Sequence, residues 1–218
     1  MDNLVFRNAT KCDIPFLVDT TIEAEKSGTD ILTYSTIFGL SEEKTRKYMA
    51  KMFAEEVDGC ELSISSFLLA VVDDNVAAAV AAWIEGIEGI PSTVLKGNLL
   101  NYTLPKAALE KAMSLNSIVR ELHIEYINNT IQIGLVYVAK SFRGQNLVAL
   151  LIDKQIENLL KINTKPSAVY VQVFGNNLKA IRAYQKANFR KVLVKESTNI
   201  NTLKYMPANR KILMKREL

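Results

Sequence analysis

The amino-acid sequence predicts an α/β protein: a single domain with a mixed, partly parallel central sheet, flanked by helices, and a helical insertion before the central strand. Between residues 131 and 189, segments with strand-like and helix-like patterns alternate, which is typical of a βαβα arrangement with parallel strands. On either side of this region, short apolar segments separated by turn residues predict antiparallel strand pairs. We expect residues 1–218 to form one domain, because this length suits one core.

The N-terminal half is predicted to contain a strand, two helices, a hairpin and the insertion. Residues 4–10 are the opening strand, and apolar residues at helical spacing then continue to Gly28. A second helix begins at Ser41. Two apolar runs flank the turn residues at 73–75, which predicts a β-hairpin even though its second run is rich in alanine. Residues 91–122 are predicted to be mainly helical and form the insertion.

The C-terminal half is predicted to alternate strands and helices before it closes with two strands. The predicted elements are a strand at 123–127, a turn at Asn128 and Asn129, a strand at 130–138, a helix at 144–162, a strand at 167–175, a helix at 176–189, and strands at 190–197 and 210–218.

The composition is that of a globular protein, with 49% hydrophobic and 23% charged residues. No apolar run reaches the length of about 18–20 residues that a membrane span needs. The N-terminus lacks the pattern of a secretory signal. Cys12 and Cys60 are the only cysteines, and neither belongs to a zinc-binding spacing. We therefore expect a cytoplasmic protein without a membrane partner or a metal ion.

The charges are distributed unevenly along the chain. Residues 139–218 carry 16 Lys and Arg and 4 Asp and Glu, whereas residues 1–138 carry 11 and 19. This asymmetry indicates an anionic partner for the C-terminal part and a cationic partner for the N-terminal part, unless the charges are merely solvated. Basic and aromatic residues are not interleaved densely enough to indicate nucleic-acid binding.

The loop between the strand ending at Val138 and the next helix has the composition of an anion site. Arg143 supplies a bidentate phosphate donor, Gly144 permits close approach, and Asn146 tolerates a left-handed backbone. The amides at the start of a helix bind anions. A glycine often closes a strand-to-helix turn for structural reasons alone, so the turn leaves both interpretations open. The sequence contains neither G-x-G-x-x-G nor a P-loop.

Two segments together resemble the GCN5-related N-acetyltransferase (GNAT) superfamily. The segment "LVYVAKSFRGQNLVALLI" is similar to its strand, R/Q-x-x-G-x-G/A turn and helix, and "NLKAIRAYQKANF" is similar to its N-x-x-A-x-x-x-Y-x-x-x-G-F motif. The resemblance is specific over about residues 131–216. The sequence departs from the family pattern at Asn146, Val148 and Asn188. The branched side chain of Val148 lies where the cofactor backbone would pass.

The resemblance implies that acetyl-CoA is the co-substrate and that no metal takes part. It implies that the main chain of Val136, Tyr137 and Val138 pairs with the pantetheine arm, as an added strand would. One of these amides would also polarise the thioester carbonyl. Asn177 would bond the pantetheine amides. The diphosphate would be held by main-chain amides of the turn, which comprises Arg143, Gly144, Gln145, Asn146, Leu147 and Val148.

The resemblance also implies that Tyr184 is the catalytic acid that protonates the departing thiolate, since a phenol and a thiol have comparable pKa values. In protein-modifying members of the family a glutamate on the central strand acts as base, but Gln132 stands at that position. Glu125, Glu85, His123 or a chain of water molecules are the alternatives.

The acceptor is predicted to be an amine, either a small molecule or a protein or peptide amine. Residues 23–39 and the insertion at 91–122 are the expected walls of its pocket. Two other functions stay open: an acyl-CoA-binding sensor without efficient catalysis, which Gln132 and Val148 favour, and a scaffold whose insertion mediates homodimer formation.

Overall fold

The structure is a computed structural model that describes residues 3–87, 89–162 and 165–218. Its strands are β1 (Leu4–Asn8), β2 (Phe67–Val72), β3 (Asn75–Ile84), β4 (Ile131–Val138), β5 (Val169–Phe174), β6 (Arg190–Glu196) and β7 (Arg210–Arg216). Its helices are α1 (Ile14–Lys26), α2 (Thr33–Phe38), α3 (Glu42–Ala54), α4 (Ser92–Thr103), α5 (Lys106–Ser114), α6 (Asn116–Glu121), α7 (Leu147–Leu160), α8 (Leu178–Lys186) and α9 (Thr202–Tyr205).

Within these ranges the strands form one sheet in the order β1-β2-β3-β4-β5-β7-β6. Neighbouring strands run antiparallel except β4 and β5, which are parallel because α7 connects them. The predicted mixed, partly parallel sheet flanked by helices is therefore confirmed.

The two faces of the sheet bury separate hydrophobic clusters. One cluster lies under α7 and α8, and the other lies under α1, α3 and α4. Strand β3 contributes to both, because Ala78 and Val80 face one cluster while Ala79 faces the other. A strand that is buried on both faces reads as a continuous apolar run. The alanine-rich segment is therefore a strand, as predicted, despite its helical propensity.

The insertion at 91–122 consists of helices α4, α5 and α6, as predicted. Helix α4 ends where Leu104 adopts an extended conformation directly before Pro105, as a residue that precedes proline usually does. Among the described residues, no helix combines the length and hydropathy needed to cross a membrane.

The strand predicted at residues 123–127 is wrong. This segment lies outside the sheet and is held by side chains: Gln172 Nε2 donates to the main-chain oxygen of Ile124 at 3.0 Å. The ring of Tyr126 packs edge-on against Trp83, with 5.5 Å between centroids. The alternation of apolar and polar residues in this segment thus reflects side chains that pack against the sheet, rather than main-chain pairing with a neighbouring strand.

Helix α7 begins at Leu147, three residues later than predicted. Gly144 has φ +83° and Asn146 has φ +58°, and a right-handed helix cannot include either conformation. The turn that the sequence singled out is therefore longer and lies before the helix.

Candidate active site

Strands β4 and β5 diverge halfway along their length. They pair at Ile131–Val169, Gln132–Tyr170 and Ile133–Val171, and no pairing continues beyond these positions. The edge of β4 from Gly134 to Val138 is therefore open toward β5. A cavity of about 130 Å³ occupies the gap.

The amides that face this gap follow from the register of β4 against β3. The Ala139 amide donates to the oxygen of Ala77 at 2.9 Å, and Tyr137 stands opposite Ala79 two residues earlier. Because main-chain groups alternate along an antiparallel strand, the amides of Val136 and Val138 point to the opposite, open edge. The carbonyl of Val138 points there too and accepts from Arg143 Nε at 3.1 Å.

The turn at 143–146 leads from this open edge into α7. Arg143, Gly144, Gln145 and Asn146 are all exposed, and no side chain caps the helix. The first amides of a helix have no intrahelical acceptor, so they remain available to an anion. A methyl group built onto Gly144 would meet no atom within 4 Å, so the space beside this residue of the turn is open.

The side chains of the two residues that begin α7 pack against the hydrophobic core. Leu147 is buried in the core, and Val148 is partly buried against the same cluster. Any contact that they make with a diphosphate would therefore use their main-chain amides. Part of the branched Val148 side chain is therefore taken up by packing against this cluster.

Tyr184 lies on α8 and lines the cavity between β4 and β5. Its ring is buried and packs edge-on against Phe189, with 6.0 Å between centroids. Burial raises the pKa of Tyr184 above its ordinary value. The group is therefore a neutral phenol near neutral pH, which is the form that can donate a proton.

Asn177 caps α8 and also lines this cavity. Its Oδ1 accepts from the Ala180 amide at 3.1 Å, and its Nδ2 donates to Ser27 Oγ at 3.1 Å. One amide hydrogen remains for a ligand, because the side-chain amide carries two. Its structural role explains the asparagine before the helix independently of any cofactor.

A second, larger cavity of about 360 Å³ adjoins the first. Its walls come from α2 and from the insertion, the two regions that the sequence proposed as walls of an acceptor pocket. Both cavities are lined by Glu25, Glu61, Tyr126, Gln172, Phe174 and Lys211. These shared residues mark the junction through which the two spaces meet.

Two charged residues in the larger cavity form an ion pair. Lys96 Nζ bonds Glu61 Oε1, and the hydroxyls of Tyr34 and Tyr126 lie 3.3 and 3.4 Å from the carboxylate oxygens. Burial opposes both charges, but the pairing prevails: the pKa of Glu61 is lowered, and the pKa of Lys96 is raised well above its ordinary value. Both groups are therefore charged near neutral pH.

The residues considered as bases are dispersed. Gln132 is buried, donates to Thr130 Oγ1 at 2.6 Å and lines neither cavity. Glu85 is buried and accepts from Trp83 Nε1 at 2.8 Å and from the Ser92 amide at 2.9 Å, so it anchors the start of α4. Glu125 is exposed outside both cavities, and the exposed His123 lines only the larger one.

Sequence reasoning did not single out the charged residues at the junction, Glu25 and Lys211, although Glu25 lies in the segment 23–39 that was expected to wall the acceptor pocket. They lie on α1 and β7, far apart in the chain, and neither belongs to a motif. The one available signal was a charged residue within an otherwise apolar pattern, as Lys211 is before "ILM". Among the described residues, no three His, Cys, Asp or Glu side chains gather as a metal site would require.

Comparisons with known proteins agree with this fold. Residues 35–189 match the acetyltransferase (GNAT) family, whereas a comparison with curated protein sequences gives no match. An N-acetyltransferase from Staphylococcus aureus Mu50 has a TM-score of 0.67 at 14% identity, over 97% of this chain and 100% of that one. The ribosomal-protein-alanine N-acetyltransferase from Brucella melitensis has a TM-score of 0.53 at 14% identity, over 98% of this chain and 99% of that one.

A further similar structure contains a bound ligand. It is a GNAT superfamily phosphinothricin acetyltransferase from Sinorhizobium meliloti in complex with AcCoA, with a TM-score of 0.53 at 11% identity, over 99% of this chain and 88% of that one. The segment that matches the family covers more than half of this chain and contains β4, the turn at 143–146 and α8. The chain therefore belongs to the acetyltransferase (GNAT) family.

Proposed function

We propose that this protein is an N-acyltransferase that moves an acetyl or similar acyl group from coenzyme A to a primary amine. The observation that carries the proposal is the open edge of β4, which runs from the junction of the two cavities to the uncapped start of α7. This arrangement offers main-chain donors to an extended pantetheine arm and an anion site to its diphosphate.

In this proposal the chain supplies three functions. The turn at 143–146 and the first amides of α7 hold the diphosphate. The amides of Val136 and Val138 hold the arm, and the one nearer the thioester stabilises the negative charge that develops on its oxygen. Tyr184 returns a proton to the departing thiolate: its buried phenol is neutral and so carries that proton, although burial raises its pKa away from that of a thiol.

The acceptor amine enters through the larger cavity and attacks the thioester at the junction. Gln132 does not reach this position, so the amine proton passes to solvent or to a residue of the junction. The walls formed by α2 and the insertion then determine which amines fit.

Thermal unfolding with and without acetyl-CoA tests the first half of the proposal. A ligand that binds the folded state raises the melting temperature in a concentration-dependent way. We expect such a rise with acetyl-CoA. If saturating acetyl-CoA leaves the melting temperature unchanged, neither an acyltransferase nor an acyl-CoA sensor is consistent with this chain.

Thiol release across a panel of amines tests the second half. We expect the substitution Tyr184→Phe to lower kcat by roughly 100-fold, since proton transfer contributes about that much or more, and to keep the acetyl-CoA thermal shift. An equal rate in both proteins would exclude Tyr184 as the acid. Binding without turnover for every amine would instead favour the sensor, to which the replacement of the strand glutamate by Gln132 also points.

A further inference from the structure

We propose that the acceptor is an amine that also carries a carboxylate, as an amino acid with an apolar side chain does. In this arrangement Lys211 binds the acceptor carboxylate and Glu25 binds its amino group at the junction of the two cavities. The inference rests on the proposed function and extends it by naming the class of acceptor.

Glu25 and Lys211 are charged residues of opposite sign that line both cavities. They are close enough for each to act on the pKa of the other. Nevertheless, within residues 3–87, 89–162 and 165–218 neither forms an ion pair, with the other or with a third residue. The junction therefore holds one acidic and one basic side chain that are not paired with each other.

The neighbouring charges are already satisfied. Glu61 is paired with Lys96 and approached by two tyrosine hydroxyls, which leaves it little capacity for a ligand. The ammonium of Lys96 also lies 5.4 Å from the centroid of the Tyr34 ring. A ligand charge is thus best accommodated at Glu25 and Lys211.

The surroundings of these two residues disfavour their charges until a ligand arrives. Burial raises the pKa of Glu25, and repulsion by Glu61 acts in the same direction. Burial lowers the pKa of Lys211, although the face of the Phe174 ring, whose centroid lies 5.7 Å from Nζ, favours the ammonium form. A charge removed from water is costly unless it is paired. A ligand whose amino group faces Glu25 and whose carboxylate faces Lys211 therefore compensates both side chains.

The rest of the larger cavity suits an apolar body. Tyr34, Phe38, Trp83 and Leu100 contribute aromatic and aliphatic surface. Its volume of about 360 Å³ is that of a site for a small molecule. Two carboxylates, Glu25 and Glu61, and two amines, Lys96 and Lys211, line this space, so it offers no excess of negative charge to a polycationic acceptor such as a polyamine. A zwitterion with an apolar side chain can pair with Glu25 and Lys211 and also contact the apolar walls.

The test compares matched acceptors in the acetyl-CoA thiol-release assay. The panel pairs L-phenylalanine, L-leucine and L-methionine with their amides and with the amines that lack the carboxyl group. We expect kcat/KM to be roughly tenfold or more higher for the acids, because a site with a buried charge rejects a ligand without its partner. Equal or higher values for the amines and amides, or no reaction and no binding for all three sets, overturn the proposal.

Variants assign the preference to Lys211. In Lys211→Met we expect the acids and amides to react within about twofold of each other, whereas Lys211→Arg retains a preference for acids. Lys215→Met is the matched control, since Lys215 lies on the same strand, pairs with Glu217 and lines neither cavity. A preference that persists unchanged in Lys211→Met excludes Lys211 as the carboxylate site. Should Lys211→Met fail to fold, the wild-type panel and Lys211→Arg decide.

The acetyl-CoA thermal shift distinguishes failure of this inference from failure of the proposed function. If acetyl-CoA raises the melting temperature and amines are acylated whether or not they carry a carboxylate, the proposed function stands and this inference is wrong. If acetyl-CoA does not change the melting temperature, both the proposed function and this inference are wrong.

Discussion

Gly134 is the residue at which β4 departs from a regular ladder with β3. The register between these strands changes between Val80 and Ala82, opposite Gly134 and Leu135. A methyl group built onto Gly134 would lie 2.7 Å from the ring of Trp83 and 3.2 Å from Cβ of Glu61. Only glycine lets the open edge of β4, the tryptophan and the buried glutamate lie this close together.

We expect Gly134→Ala to lower the free energy of unfolding by about 1–3 kcal/mol, the usual cost of overpacking. Gly97→Ala is the control, because Gly97 lies in α4 with nothing within 4 Å of a built methyl group. That substitution should stabilise the protein by about 0.5–1 kcal/mol. Chemical denaturation measures both, and equal effects would contradict the close contact at Gly134.

Asp13 connects β1 to the start of α1. Its carboxylate accepts two bonds from the Arg7 guanidinium, both 2.8 Å long, and a third from the Thr10 amide at 2.8 Å. These bonds, that to Arg7 first, lower the pKa of Asp13 from 3.8 to about 2 although burial opposes them. The stability that they provide is complete above pH 4 and is lost as the pH falls through about 2.

The contribution should be about 1–2 kcal/mol, since Arg7 is partly exposed and screened by solvent. Unfolding free energies measured between pH 5 and pH 2.5 should therefore fall more steeply for the wild type than for Asp13→Asn. Parallel pH profiles would show that the pair contributes nothing.

At the scale of elements, the alternation of main-chain groups along β4 makes a sharp prediction. In Val136→Pro an amide that faces the open edge is removed while no bond to β3 is lost, and proline is tolerated at such an edge. We expect the variant to fold and to bind acetyl-CoA roughly tenfold or more weakly. Isothermal titration or the thermal shift measures the affinity.

Tyr137→Pro is the matched control, because the Tyr137 amide faces β3. It should lose a ladder bond and unfold at lower temperature than Val136→Pro. If Val136→Pro is the less stable of the two, or if it binds acetyl-CoA as the wild type does, the assignment of amides to the open edge is wrong.

Some strands and helices could be predicted from the sequence pattern alone, and others could not. The alternation of strands and helices in the C-terminal half was predicted from apolar periodicity, since β4, α7, β5 and α8 each bury one or two faces against the same core. The segment at 123–127 was mistaken for a strand because its alternate side chains, Ile124 and Tyr126, also pack against the protein, although the segment forms no strand pairing. Periodicity reports which side chains are buried, not which backbone groups are paired.

At the scale of the whole molecule, the pair of Glu61 and Lys96 joins the insertion to the loop before β2. The Glu61 side chain is 11% exposed and that of Lys96 32%, so removing Lys96 leaves a mostly buried carboxylate uncompensated, and we expect Lys96→Met to cost about 2–4 kcal/mol. The double variant Glu61→Met/Lys96→Met should cost less than the two single variants together. Denaturant titrations of the four proteins measure this coupling.

The pair of Lys106 and Glu110 on α5 provides the control. Both side chains are largely exposed and 3.6 Å apart, so Lys106→Met should change stability by no more than about 0.5 kcal/mol. Additive effects at Glu61 and Lys96 would mean that the two charges are solvated independently.

The sequence by itself determined the α/β architecture, the insertion, the turn before α7 and the position of Tyr184, because periodicity, turn residues and local motifs act over a few neighbours along the chain. Only the tertiary structure decided that β4 and β5 diverge, which amides face the gap, and that Glu25 and Lys211 meet at the junction of two cavities. These features depend on contacts between residues that are distant in sequence, and the burial that gives such residues their chemistry exists only once the chain has folded around them.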